Sequence, residues 1–455
     1  MWYLLLLLNL EILLFIIAFG LANGDIMAPS VIMCIMFIIS TIFALINVNV
    51  WSSVQYKIET VIIIASGIFV YVSIENLYKL LFARKSTRKP NDIEMKTIQD
   101  DKIDVPIYYL RILLFLNIFV IFWYYKEIVR IVTSLGMSTS NIFADFRRVY
   151  TRLNVAYESS DVEMVSTLLS QFMKLTKGAG YICLYILITY VVSKERKGNA
   201  TGKHIILLLV NIFLSVIPSL MLAGRNDLLQ LVVAGLVYYY IIWHRYNGWN
   251  RSISWKYIKW GMGIIVVGIP SFYGMLFLVG RSTTKSMLEY ASIYIGSSIA
   301  LFNEFLIDPV DPPEVFGEET LLGIHQVLYR IGIPTHVKNR HLEFRSLNNF
   351  TSSNVYSFFR RPIHDFGIGG MLVFTALVSL FFAWLYFKRI RGVYVGRKLD
   401  YRIITYGYLF YWIIYTSIDQ RSISMLSAST LVTFLIMYLE LVLVKKIRFR
   451  RHPRE

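Results

Sequence analysis

Long uninterrupted runs of apolar residues make up most of this chain, and short polar or basic segments separate them. A helix needs about 20 apolar residues to cross the hydrocarbon core of a bilayer. Because the runs are continuous rather than alternating, they favour helices over the strands of a closed barrel. The pattern predicts an all-α polytopic membrane protein with about 11 transmembrane helices. The predicted spans are residues 3–20, 27–48, 60–82, 105–125, 178–192, 205–222, 227–243, 258–279, 366–387, 403–418 and 425–444.

Lys and Arg recur in alternate connections between these spans, at residues 84–89, 194–203, 245–256, 388–398 and 445–451. The positive-inside rule places such connections in the cytoplasm. One orientation satisfies all of them, with the N-terminus outside and the C-terminus cytoplasmic. The single membrane domain, residues 1–455, then has these further parts: a first outer loop at 126–177, a tight outer turn at 223–226, a long helical outer loop at 280–365 and a basic cytoplasmic tail at 445–455.

One apolar segment of the long loop, residues 287–307, resembles a further span. Glu289, Gly296 and Glu304 interrupt it. If it crossed the membrane fully, both basic C-terminal regions would lie outside, against the positive-inside rule. We therefore predict an interfacial or re-entrant helix there, or one packed within the loop.

The composition agrees with a membrane protein and narrows its chemistry. Hydrophobic residues make up 56% and charged residues 16% of the chain, against about 25% charged residues in soluble domains. The net charge of +17 lies largely in cytoplasmic connections, which excludes a nucleic-acid partner and predicts contact with membrane lipids. Cys34 and Cys183 lie far apart inside apolar runs, so we expect no disulfide and no thiol or metal chemistry. The sequence contains no Gly-rich nucleotide loop, so we expect no ATPase domain.

The long loop ends in a basic and aromatic segment, residues 354–367, that leads directly into the next span. Arg360 and Arg361 lie side by side in it. Because guanidinium groups form bidentate hydrogen bonds to phosphate, the pair suits an anionic head group. The equally weighted alternative is that both arginines only anchor the span by contacting lipid phosphates.

Two other predicted outer sites carry arginine. Arg225 lies at a helix start, where it opposes the macrodipole, so it needs an anionic partner. That partner is a ligand, a lipid phosphate or Asp227. Arg147 and Arg148 lie in the first outer loop, near an amphipathic stretch at 162–175, and a solvated basic face explains them slightly better than binding.

Acids and bases are sparse. His364 and Asp365 adjoin the arginine pair, and either could accept a proton from a sugar hydroxyl, although each is more often a structural partner. Glu11 and Glu75 are isolated inside predicted spans, where a charge is costly. We expect these two glutamates to make hydrogen bonds between packed helices.

Several short motifs, taken in order with the topology, resemble those of the Wzy-type polymerases of O-antigen and capsular polysaccharide. The motifs are Gly24-Asp25-Ile26-Met27-Ala28-Pro29-Ser30 after the first span, Ala223-Gly224-Arg225 before the seventh, Gly280-Arg281 at the start of the long loop, and Asn354-Val355-Tyr356 followed by Asp365-Phe366-Gly367.

The resemblance implies a GT-C-type membrane glycosyltransferase at the outer face of the bacterial cytoplasmic membrane. Its donor and acceptor would be oligosaccharide repeat units linked to undecaprenyl or another polyprenyl pyrophosphate. The growing chain would leave its lipid pyrophosphate and join the non-reducing end of a new unit, which requires no nucleotide sugar, metal or other cofactor. A chain-length regulator and a flippase of the same cell-envelope pathway are the expected protein partners.

The resemblance also assigns roles to residues. Its arginines match Arg225 and Arg281 best, and they would stabilise the charge of the departing pyrophosphate. The other implied catalytic residues are Asp365 and His364, and the implied substrate-binding residues are Arg360, Arg361, Arg147, Arg148, Asn354 and Tyr356. Two other functions stay open. O-antigen ligases share the architecture, and a secondary transporter or flippase is the alternative from another class, although it would typically show inverted repeats.

Overall fold

The structure is a computed structural model and describes residues 1–82, 105–136, 142–155, 165–192, 202–222, 224, 226–249, 273–274, 286–336, 341–349, 351–391 and 399–449. The described elements are almost all helical, as predicted. Eight described helices are long and apolar enough to span a membrane, or nine if one bent pair forms a single span. The chain is therefore a multi-pass membrane protein. The predicted span at 258–279 lies almost entirely outside the described residues.

The helices are α1 (Trp2–Leu21), α2 (Pro29–Ile46), α3 (Ile58–Phe82), α4 (Ile107–Ser134), α5 (Ile142–Val155), α6 (Thr167–Val192), α7 (Gly202–Met221), α8 (Asn226–Asn247), α9 (Met287–Ile295), α10 (Ser297–Ile307), α11 (Leu322–Arg330), α12 (Arg360–Ala383), α13 (Tyr401–Ile414), α14 (Ser422–Met425) and α15 (Ala428–Phe449). A π-helix, Trp384–Arg391, continues α12. Two short strands, β1 (Arg345–Asn348) and β2 (Thr351–Ser353), pair antiparallel.

The chain forms two compact units. Unit one consists of Met1–Ser86, Thr284–Gly392 and Leu409–Thr430. Unit two consists of Thr87–Thr283, Val393–Tyr408 and Leu431–Glu455.

In unit one, α3 packs closely along α12. Ser379 Oγ donates a hydrogen bond to the Tyr71 carbonyl at 2.7 Å. Gly67 of α3 leaves room for the ring of Phe359, because a Cβ at this position would overlap that ring. Phe359 directly precedes α12, so this close approach fixes where the helix begins.

The two acids inside spans of unit one are paired as predicted. Glu75 of α3 accepts hydrogen bonds from Ser30, at 2.8 Å from the backbone nitrogen and 2.6 Å from Oγ. Glu11 of α1 accepts one from Thr41 Oγ1 at 3.0 Å. These bonds join neighbouring helices and reduce the cost of placing acids in an apolar environment, although Oε2 of Glu11 has no hydrogen-bond partner among the described residues.

The apolar segment at 287–307 is broken, as its sequence indicates. α9 and α10 meet at Gly296 with a bend of 44°. A Cβ on Gly296 would lie 2.7 Å from backbone atoms of Phe43 and Ala44 in α2, so only glycine permits this close packing. The Ser40 hydroxyl lies 3.0 Å from that of Ser298 and fastens the two elements.

In unit two, α5 is amphipathic and buries one face. Phe146 and Val149 of α5 pack with Tyr124 of α4 and Leu169 of α6 in one apolar cluster. The amphipathic stretch at 162–175 suggests a helix lying against the outer domain or the bilayer, but in the structure α6 runs without a break from residue 167 into the span. Residues 167–177 contain no proline or glycine that would end a helix, so α6 begins well before the predicted span at 178.

Two predicted spans near the C-terminus are shorter than expected. The span predicted at 403–418 corresponds to α13, which ends at Ile414. The apolar part of α15, Ala428–Val444, is shorter than a typical span. Residues 415–421 form turns instead of continuing the helix. These turns carry charged side chains that contribute to the site described next.

Candidate active site

The site is built around the first turn of α12, in unit one. Gly367 interrupts the helix with φ 67° and ψ −175°, values that suit glycine, so residues 360–366 form a turn distinct from the span. Pro362 lies in this turn, where its missing N–H would have no partner in any case. The turn buries Arg360, Arg361 and Asp365.

Arg360 is the fully buried centre of the site. Its Nη2 lies 2.8 Å from Glu343 Oε2, and its Nη1 forms an ion pair with Glu319. The guanidinium also stacks on the rings of Phe305 and Tyr356, with centroids at 4.6 and 5.4 Å. Burial alone would raise the pKa of Glu343, but the Arg360 charge, hydrogen bonds and the Arg345 charge together hold this pKa below its ordinary value. The predicted alternative of a lipid anchor is therefore wrong for Arg360, because a side chain buried between two carboxylates cannot reach lipid phosphates.

Arg361 belongs to a looser arrangement of charges. Its Nε lies 3.8 Å from Asp419 Oδ1, and Asp419 Oδ2 lies 3.6 Å from the Nε of Arg421. Arg421 stacks over Tyr415 at 4.4 Å. Burial would lower the pKa of Arg421, but the Asp419 carboxylate together with Tyr411 and Tyr415 raises it above its ordinary value. One carboxylate is thus shared by two guanidinium groups at distances longer than a direct hydrogen bond.

A backbone hydrogen bond holds these two segments together. Phe358 N donates to the Thr416 carbonyl at 2.8 Å. Ser357 and Ser417 flank this bond, and both are buried. Within the described part of the chain their hydroxyls have no hydrogen-bond partner. Because buried hydroxyls are usually satisfied, these two indicate room for a polar ligand or water.

His364 and Asp365 form a tightly held pair. Asp365 Oδ2 accepts hydrogen bonds from the backbone nitrogens of Thr320, at 2.6 Å, and Glu319, at 3.1 Å. His364 Nδ1 lies 3.0 Å from Asp365 Oδ1, and its Nε2 lies 3.0 Å from the Asp311 carbonyl. Both ring nitrogens therefore face acceptors, which favours the doubly protonated imidazolium. In this arrangement the pair positions residues 319–320, and neither member is free to act as a base.

The remaining predicted residues fall into three groups. Tyr356 is buried, and its hydroxyl donates to the Glu343 carbonyl at 3.2 Å, so it supports the frame of the site. Asn354 is half-buried before α12, and Arg147 is half-buried on α5 in unit two. The residues that lie outside the described part are Arg225, Arg281 and the side chain of Arg148.

Asp227, the alternative partner predicted for Arg225, is engaged elsewhere in unit two. Its Oδ1 lies 2.8 Å from Nζ of Lys177, and this ion pair joins α6 to α8.

Sequence reasoning missed four charged members of the site: Glu319, Glu343, Asp419 and Arg421. The signal for the last two was present, since Asp419-Gln420-Arg421 is a charged break between two apolar runs. The two glutamates lie in the long loop without a comparable local signal. In the described residues, three guanidinium groups and one imidazole thus face four carboxylates, and Arg345 adds a fourth guanidinium at 3.5 Å from Glu343. An incoming anion therefore has to displace a carboxylate.

Comparisons with protein-family models, curated proteins and solved structures find no match. The arrangement of charges therefore carries the functional argument.

Proposed function

We propose that this protein is a bacterial membrane glycosyltransferase that polymerises polyprenyl-pyrophosphate-linked oligosaccharide repeat units at the outer face of the cytoplasmic membrane. The observation that supports the proposal best is the carboxylate of Asp419, shared at 3.8 and 3.6 Å by Arg361 and Arg421. A pyrophosphate binds two guanidinium groups more favourably than a single distant carboxylate does, because it offers bidentate oxygens and more charge.

The reaction needs a cationic group and a base, and this arrangement supplies both. The acceptor hydroxyl oxygen forms a bond to the anomeric carbon, while the bond from that carbon to the pyrophosphate oxygen breaks. The pyrophosphate leaves with the bonding electron pair, and Arg361 and Arg421 stabilise its charge. The hydroxyl proton passes to Asp419.

Displacement links the two roles of Asp419. While no donor is bound, the Asp419 carboxylate faces both arginines. Once the pyrophosphate occupies the guanidinium groups, the carboxylate is released from them and can turn toward the acceptor hydroxyl. Donor binding thus makes the carboxylate available only when a leaving group is present.

The other predicted residues fit around this step. Arg360 is already paired with two glutamates, so we propose that it stabilises the surrounding structure rather than binding substrate. Arg225 and Arg281 lie outside the described residues, so their pyrophosphate-binding role stays a prediction from the sequence resemblance. Ser357 and Ser417 would donate hydrogen bonds to donor or acceptor oxygens.

Purified protein in nanodiscs, supplied with lipid-linked repeat units alone, tests the proposal. We expect a ladder of longer lipid-linked chains on a gel, without added nucleotide or metal. R421A should abolish the ladder, because it removes a partly exposed guanidinium of the site. R130A is the matched control, since Arg130 is an exposed arginine paired with Glu127 within one helix of unit two.

Three results would contradict the proposal. Movement of lipid-linked units across the bilayer without elongation would indicate a flippase. Transfer of glycan only to a lipid acceptor that lacks the pyrophosphate would indicate a ligase. A normal ladder from R421A would show that Arg421 does not bind the pyrophosphate.

A further inference from the structure

A second group of ionisable side chains lies in the long loop, apart from the arginine cluster. Glu314, Glu318 and His336 each offer one ligand atom, and these atoms all lie within 4.8 Å of one another. His336 Nδ1 is 2.7 Å from Glu314 Oε2, and its Nε2 is 3.6 Å from Glu318 Oε1. Glu318 is buried, whereas Glu314 and His336 are exposed. An imidazole with two carboxylates is a donor set typical of zinc and related divalent metals.

A bridge through His325 brings the two segments of this group together. His325 Nδ1 lies 2.6 Å from Thr335 Oγ1, and its Nε2 lies 3.1 Å from the Phe316 carbonyl. Thr335 precedes His336, and Phe316 lies midway between the two glutamates. Prolines just before each segment restrict the backbone further. The ligand atoms are therefore held near one another by contacts that do not involve the ligands themselves.

We propose that Glu314, Glu318 and His336 bind one divalent transition-metal ion, for which Zn²⁺ is the best fit. Nitrogen and oxygen ligands lie about 2.0–2.2 Å from zinc, so neighbouring ligand atoms are roughly 3.4 Å apart in a tetrahedral site. Small side-chain rotations bring the observed group to that spacing. The ion takes the place of the direct contact between His336 and Glu314, and water completes the coordination. Calcium and magnesium fit less well, because both prefer sets made only of oxygen ligands.

The position of the group suggests what the ion does for the fold. Glu318 is followed by Glu319 and Thr320, whose backbone nitrogens hold Asp365. An ion at Glu318 therefore fixes one end of the segment that supports α12. Its role is structural, and the glycosyl transfer proposed above does not pass through it.

Metal binding is measured without any substrate, so its outcome is independent of the proposed activity. The protein is purified without a polyhistidine tag, treated with a chelator, placed in nanodiscs and incubated with Zn²⁺. We expect about one zinc ion per chain by mass spectrometry after gel filtration, and a rise in Tm with zinc. H336A should lose both effects. H341A is the matched control, because it removes an exposed histidine of the same loop and should bind zinc like the wild type.

E314Q provides a variant that is safe for folding, because Glu314 is largely exposed. It should weaken zinc binding at least about tenfold, since it removes a charged ligand. The proposal is overturned if the wild type retains no zinc, or if H336A and E314Q both bind zinc as tightly as H341A. Retention of calcium in preference to zinc would also overturn it.

Discussion

Two aspartates of this protein each lie between two arginines, and they are held in opposite ways. Asp400, in unit two, lies 2.9 Å from Arg245 Nη1 and accepts hydrogen bonds at 2.9 and 3.0 Å from Arg402. Its side chain is 3% exposed. Asp419, in unit one, lies 3.8 and 3.6 Å from its two arginines, and its side chain is 24% exposed.

The same residue types, one aspartate and two arginines, thus form two different kinds of charge cluster. Short charge-assisted hydrogen bonds in a buried place fix Asp400 and fasten α8 to the start of α13. Asp419, at a partly exposed place, has only long contacts with its arginines, and it accepts a short hydrogen bond from the backbone nitrogen of Gln420 at 2.8 Å. The distance and exposure of the carboxylate, rather than its partners, distinguish a structural centre from a candidate active site.

The largest effect that this comparison predicts is on elongation by D419N. The amide cannot accept the acceptor proton, so we expect the rate to fall by about 100-fold or more. Tm should change little, since a loose ion pair contributes about 0–1 kcal/mol. Chain ladders in nanodiscs and thermal unfolding measure both. A D419N protein that elongates normally would show that Asp419 is not the base.

R360A tests whether a buried charge with short ion pairs, such as Arg360, stabilises the fold rather than binding substrate. Removing Arg360 leaves the buried Glu319 without its close ion pair, which costs about 3–5 kcal/mol. We expect a large fall in Tm in detergent. If R360A stayed folded and lost only elongation, Arg360 would belong to the substrate-binding set after all.

D400N should destabilise the protein by about 1.5–3 kcal/mol, because it weakens hydrogen bonds to charged donors. Burial would raise the pKa of Asp400, but its hydrogen bonds to Arg402 and the charge of Arg245 lower it below its ordinary value. The stabilisation is therefore complete above an unfolded-state pKa of about 3.9, and it is lost as the pH falls through the lower folded-state pKa. Thermal unfolding across that acidic range should show this loss in the wild type and not in D400N. An equal loss in both would assign it to other carboxylates.

R421K gives the smallest expected effect. Lysine keeps the positive charge but loses the planar fork that binds pyrophosphate through two oxygens. We expect elongation to fall about tenfold, a difference of about 1.4 kcal/mol, with Tm unchanged. Elongation as low as that of R421A would mean that bidentate geometry, and not charge, decides binding.

Apolar runs were sufficient to predict most of the spans, because a membrane helix is recognised from local composition alone. The hydrogen-bonded state of Glu11 and Glu75 was also predictable, since a lone acid in an apolar helix needs a partner. The burial of Arg360 was not predictable. It depends on Glu319 and Glu343, which approach it only through the folding of the long loop.

The basic and aromatic composition of residues 354–367 was sufficient to predict candidate site residues there, namely Arg360, Arg361, His364 and Asp365. Their separate roles were not predictable, because these depend on contacts with distant segments. Asp419 and Arg421 were overlooked because the predicted spans on either side left only a short connection between them. The early end of α13 is what turns that connection toward Arg361. Likewise, Glu314, Glu318 and His336 have no zinc-motif spacing, and the bridge through His325 brings them together.

The missing side chain of Gly67 has a genetic consequence. Any larger residue there would push the ring of Phe359, and with it the start of α12, although nothing polar would change. A screen for loss of function should therefore return substitutions at an apolar helix position remote in sequence from every charged residue of the site. Suppressors of such alleles should be found among substitutions that shrink Phe359. Residues 67 and 359 should therefore co-vary, with a larger residue at one accompanied by a smaller residue at the other.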